Sequence, residues 1–139
     1  MKGLKTLIRL HKKEVDDRRR HLVELQTMAE QVEHRRRLFE EEVEQEKLIA
    51  GSSLEASMTY GAFVGQVRQR REQFAQVQRD IAAKINQAEQ ALTDAFQELK
   101  RFELAEEERV RQERAKFARA EALMLDEVAS QRFQRQQEE

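Results

Sequence analysis

Gly51-Ser52-Ser53, between Lys47-Leu48-Ile49-Ala50 and Leu54-Glu55, decides how this chain folds, because it is the only turn-like cluster in the 139 residues. The chain has no proline and four glycines. That leaves almost no material for tight turns and excludes a sheet built from many hairpins. Long helices remain, and one break makes two of them. Ser52 and Glu55 have capping-box spacing, in which a serine oxygen and a glutamate side chain each satisfy a free backbone N–H at a helix start. The second helix is therefore expected to begin within a few residues of Ser52.

Working outward from the break, both arms repeat every seven residues. In the first arm one set of seam positions falls at Leu4, His11, Arg18, Leu25, Val32, Phe39 and Glu46, the other at Ile8, Val15, Leu22, Ala29, Arg36, Val43 and Ala50; ten of these fourteen are apolar. In the second arm the sets are Tyr60, Val67, Phe74, Ile81, Ala88, Ala95 and Phe102, and Val64, Arg71, Gln78, Ile85, Leu92, Leu99 and Glu106, of which eleven are apolar. A sustained repeat of this kind, with charge elsewhere, is a coiled-coil seam and not the broader stripe of a globular helix.

A short turn forces the arms antiparallel. Taking its midpoint between Gly51 and Ser52, Leu4 faces Leu99, Ile8 faces Ala95, Val15 faces Ala88, Leu22 faces Ile81, Ala29 faces Phe74, Phe39 faces Val64 and Val43 faces Tyr60, so large residues meet small ones. A register displaced by one heptad also pairs the two sets. The fold class is thus all-α: a long antiparallel two-helix coiled coil, or helical hairpin, with a C-terminal helical overhang. The expected elements are helix one over about residues 3–50, a turn over about 51–54 and helix two over about 55–132, the overhang starting beyond about 103, all in a single domain 1–139. In that overhang Val110, Phe117, Met124 and Val128 are sparse and out of phase with the seam. An isolated helix is marginal in water, so a partner is expected to bury it, with fraying of the last ten or so residues as the alternative.

Composition narrows the function classes. Zero cysteine removes disulfides, thiolate nucleophiles and every cysteine-bearing metal site, and points to a reducing compartment. Hydrophobic residues make up 39% with no Trp, enough for a seam but not a thick core. No uncharged run approaches a membrane span, and the basic start Met1–Lys13 lacks the apolar stretch of a signal peptide. Neither export nor insertion is expected. No phosphate loop, H-x-x-x-H pair or nucleophile elbow is present, so the chain is read as a non-enzyme without metal or cofactor. His11, His21 and His34 do not recur at ligand spacing on one helical face. Arg18-Arg19-Arg20, Arg35-Arg36-Arg37 and the Arg68–Arg71 stretch have neighbouring acids at Asp16, Asp17, Glu33, Glu40 and Glu72, and the net charge is −1. That argues against nucleic acid, whose binding needs uncompensated positive charge. No small-molecule substrate is expected either.

Three features invite partners. Arg18, Arg36 and Arg71 occupy seam positions, Arg36 facing Val67 and Arg71 facing Val32 in the first register; they either fix register or loosen the distal half. The first thirteen residues carry Lys2, Lys5, Arg9, Lys12 and Lys13 with no acid, against ten acids and seven bases from Glu103 to Glu139. That polarity serves either mutual pairing or contact with an acidic surface. Near the turn, Tyr60, Phe63, Val64 and Val67 cluster while Gly61 and Gly65 weaken the helix. Phe63 is off the seam, so it is expected to lack an intramolecular partner and to contact another protein.

The arrangement resembles the FliJ family, the small coiled-coil stalk of the bacterial flagellar type III export apparatus. The basic, leucine-rich start (Leu4, Leu7, Ile8), the long first helix, the pair Tyr60 and Phe63 after the turn, and the ending around Lys100-Arg101-Phe102-Glu103 and Leu125-Asp126-Glu127-Val128-Ala129 carry the likeness. The resemblance implies a hairpin similar to the gamma subunit of rotary ATPases. It also implies a terminal end inside a hexameric export ATPase, here Lys5, Arg9, Lys12, Lys13, Val110, Phe117 and Met124. The other end would contact the cytoplasmic domain of the export gate, through Tyr60, Phe63, Val67 and Phe74, with Arg70 standing where a small residue is expected. Handling of empty export chaperones is implied too, as is a cytoplasmic location at the inner face of the membrane, held there by partners, with the free chain a monomer. An injectisome stalk and a generic coiled-coil tether that dimerises through its overhang are the rival readings.

Overall fold

A computed structural model describes residues Lys2–Glu138, apart from the side chains of Lys2 and Ala56; Met1 and Glu139, which the basic start and the acidic tail include, lie outside the described residues, as does the charge expected on Lys2. The elements are α1 (Lys2–Ala50), α2 (Leu54–Met58) and α3 (Tyr60–Glu138). No strand occurs among the described residues. The long helices α1 and α3 pack against each other as an antiparallel hairpin.

The connection differs from the expected turn. At the end of α1, Gly51 N–H donates to the Lys47 carbonyl and Ser52 N–H to the Ile49 carbonyl, the second bond tightening the last turn. The Ser52 hydroxyl also donates to the Ile49 carbonyl. It serves an orphan acceptor of α1 and not the start of the next helix, so the Ser52–Glu55 capping box does not organise this end. Ser53 holds the position before Leu54, and Ser57 N–H reaches back to its carbonyl. The five-residue α2 then breaks at Thr59 before α3 starts, and α3 continues past residue 132 to Glu138.

Those extra connecting residues move the register. Phe39 and Phe74 have ring centroids 5.7 Å apart. Arg71 donates to both oxygens of Glu40 at 2.9 and 2.8 Å, and Gln78 donates to Glu33 at 2.7 Å. None of these pairs fits the register that set Phe39 against Val64 and Arg71 against Val32. All fit the one displaced by a heptad, in which the midpoint of the connection falls within α2. Large still meets small: that register sets Val15 opposite Ala95, Leu22 opposite Ala88, and Ala29 opposite Ile81.

The hairpin forms two compact units. In Lys13–Ala95 the core is Val15, Leu25, Val43, Val67, Ile81 and Ala88. Burying a Val or Ile side chain fully is worth about 1.5–3 kcal/mol, and Val43, at 2% exposure, comes nearest to that limit. In Met1–Lys12 with Phe96–Glu139, Leu99 is buried, and Leu4, Ile8, Phe102, Glu106 and Val110 are half-buried around it. His11 stacks on Phe102 at 4.6 Å between centroids and 19° between planes.

Candidate docking surfaces

Beside the connection, Val43, Lys47, Tyr60, Phe63, Val64, Val67, Arg68 and Arg71 line an open groove of about 560 Å³. Tyr60 and Phe63 are half-buried, their rings 5.9 Å apart and tilted. Phe63 therefore has intramolecular neighbours, contrary to the expectation from its off-seam position. The reason is local phase: α3 starts at Tyr60, and its inward face runs through Tyr60, Phe63 and Val67, leaving the seam residue Val64 at 39% exposure. Val67 is a core residue and Phe74 is half-buried. Arg70 lies over both Phe39 and Phe74, 5.9 and 5.4 Å from their centroids, so its cation covers aromatic faces that would otherwise be open. The row Phe63, Val67, Phe74 is thus directed more into the hairpin than away from it.

The seam arginines are satisfied close at hand. Arg18 is exposed and pairs with Glu14 at 2.8 Å. Arg36 forms a fork on Glu33, at 2.9 and 2.7 Å, within α1. Together with Gln78 from α3 and the nearby Arg37, that fork holds the Glu33 carboxyl down at about 2. Arg71 likewise lowers Glu40 across the two helices.

In the other unit, Lys5, Arg9 and Lys12 lie on the first turns of α1 and are exposed, as is Lys13, the first residue of the unit Lys13–Ala95. The ion pairs of this unit among the described residues lie within α3: Arg101 with Glu98, Arg109 with Glu106 and Glu113, and Arg111 with Glu108. Mutual pairing therefore does not consume the basic start. Arg109 lowers the Glu106 carboxyl by a direct hydrogen bond, with Lys5 adding its charge. Sequence reasoning missed Leu10 and Leu104, exposed in the same unit; both stand off the seam among charged residues, where the heptad gives no signal.

Burial continues to Val110 and then stops, every residue from Arg111 to Glu138 being exposed. The overhang thus starts about one heptad later than expected, which the shifted register requires. Phe117 is 73% exposed and Met124 68%.

A family profile described as Flagellar FliJ protein matches residues 1–138. The chain belongs to the flagellar FliJ protein family. That makes this FliJ-family chain a flagellar export-associated protein, with the coiled-coil helical fold just described. No curated protein and no solved structure matches it.

Proposed function

We propose that this FliJ-family protein is a non-catalytic coupling stalk of the flagellar export apparatus, docking on a hexameric export ATPase through its terminal residues and on the export gate near the connection. The observation that carries the reading is the helix after Val110, wholly exposed, with Phe117 and Met124 uncovered. Helices gain most of their stability from a buried face, and a ring pore supplies one. Lys5, Arg9, Lys12 and Lys13, left exposed at the start of α1, add attraction to acidic pore walls. Contact with several ATPase subunits at once would favour the assembled ring and bias subunit conformations, an allosteric coupling and not chemistry. The groove of Tyr60, Phe63 and Val64 is the gate-facing site, with the buried Val67 lining it and Phe74 extending the row two turns further along α3. Escort of empty export chaperones belongs to the same reading, and so does a place at the inner face of the membrane held by partners; no described helix is long and apolar enough to cross a membrane.

The test measures ATPase stimulation and gate-domain binding in parallel. Truncation after Val110 is expected to abolish stimulation and spare gate binding. Val64→Asp, which alters an exposed lip without emptying the core, is expected to weaken gate binding by about 1–2 kcal/mol and spare stimulation. The reverse pattern, or both activities lost with either variant, refutes the two-site assignment.

A further inference from the structure

The overhang has lost the heptad but not its face. Between Glu106 and Val110 the seam steps by four residues instead of three, and beyond that step Val110, Phe117, Met124 and Val128 follow. On a straight helix, residues eleven apart return to the same side. Leu99 with Val110, Glu106 with Phe117, and Phe117 with Val128 are such pairs, so the uncovered face continues the one that buries Leu99. Where α1 begins, beside Glu106 and Val110, this face loses its cover.

Charge along the same stretch is segregated. From Arg111 to Arg119 the helix carries Arg111, Arg114, Lys116 and Arg119 against Glu113; from Ala120 to Val128 it carries Glu121, Asp126 and Glu127 with no cation. A parallel partner of the same sequence would set cations against cations, whereas an antiparallel one sets each block against its opposite.

We propose that in the free protein a second copy of this chain covers that face, the two 111–131 segments pairing antiparallel about a twofold axis between Ala120 and Glu121. Phe117 of each copy then lies opposite Met124 of the other, and the small Ala120 lets the helices close at the centre. Each partner segment meets the uncovered face where α1 leaves it, and the partner's α3, which runs on to Glu138, passes beside the first turns of α1. The pair is isologous and closed, about three heptads long and correspondingly weak. This differs from the monomeric free chain that the family resemblance implies. If the ATPase occupies this same face, as proposed above, ring and second copy exclude each other.

Sedimentation equilibrium of the full chain across micromolar concentrations tests the pairing without any ATPase, so failure of the ring reading leaves the result intact. A monomer–dimer equilibrium is expected, weakened by salt, with Phe117→Ala raising the dissociation constant about tenfold to thirtyfold while helicity is kept. The chain has no cysteine, so single introduced thiols report geometry cleanly. Under mild oxidation Ala120→Cys should link to itself, Glu113→Cys should not, and a mixture of Glu113→Cys with Val128→Cys should. A monomer at every concentration, a dimer indifferent to Phe117→Ala, or self-linking of Glu113→Cys as efficient as that of Ala120→Cys overturns the proposal.

Discussion

Glu33 joins the two long helices, accepting from Arg36 on its own helix and Gln78 on the other. Its folded value near 2 lies below the ordinary 4.5, so its contribution is fully present above about pH 4.5 and is lost as the pH falls toward 2. Glu33→Gln is therefore expected to lower the melting midpoint at neutral pH, and the gap from the parent should close by about pH 2 in an acid series of thermal melts. A different logic governs Arg71 and Glu40, whose side chains remain 48% and 31% exposed. Arg71→Leu alone should lower the midpoint slightly, because it leaves Glu40 without its partner across the helices. Replacing both Arg71 and Glu40 by leucine should raise the midpoint above the parent, since a paired charge gives way to apolar contact. Midpoints of the two singles and the double decide it, and additive losses would refute it. The sequence identified Arg36 and Arg71 as seam positions but not their partners, because a carboxylate's partner across the helices depends on register, and an error of one heptad changes every pairing.

That error originates in the connection. Gly51-Ser52-Ser53 was legible as the break, and both arms were legible as coiled coil, because turn chemistry and periodicity are local properties. The helical turn Leu54–Met58 was not, since five residues of ordinary helix propensity look the same whether they start a long helix or form a separate one. Its presence moved the facing residues by a heptad and delayed the overhang to Arg111. Phe63 was misjudged for a related reason: the inward phase of α3 is set where the helix begins, at Tyr60, and the heptad counted back from Val67 named Val64 instead. The same start offers a simple test of element stability. Gly61 and Gly65 have nothing within reach of an added Cβ, so Gly61→Ala and Gly65→Ala should each stabilise α3 by roughly 0.5–1 kcal/mol, read as a raised thermal midpoint. A fall would mean that the backbone here cannot settle into regular helix.

At the scale of the molecule, no described side chain beyond Val110 is buried, so the hairpin should not depend on the overhang. Truncation after Val110 is expected to leave the midpoint of the remaining chain within about 0.5 kcal/mol of the parent while removing helical signal in proportion to the residues lost. A large drop in thermal melts would show that the overhang folds back on the hairpin. The nearness of Ala50 to Tyr60 at the connection, against the long sequence separation between Lys5 and Glu106 at the other extreme, carries a kinetic consequence. Contacts next to the connection close the shortest loops, and each later layer closes on an already formed neighbour. Folding should zip from Val43 and Val67 outward to Leu4, and opening should run the opposite way, beginning at the chain ends. Amide exchange ought then to be graded along α1, fastest in its first turns and slowest around Val43, so that the basic start is periodically released from α3 without the rest of the hairpin coming apart.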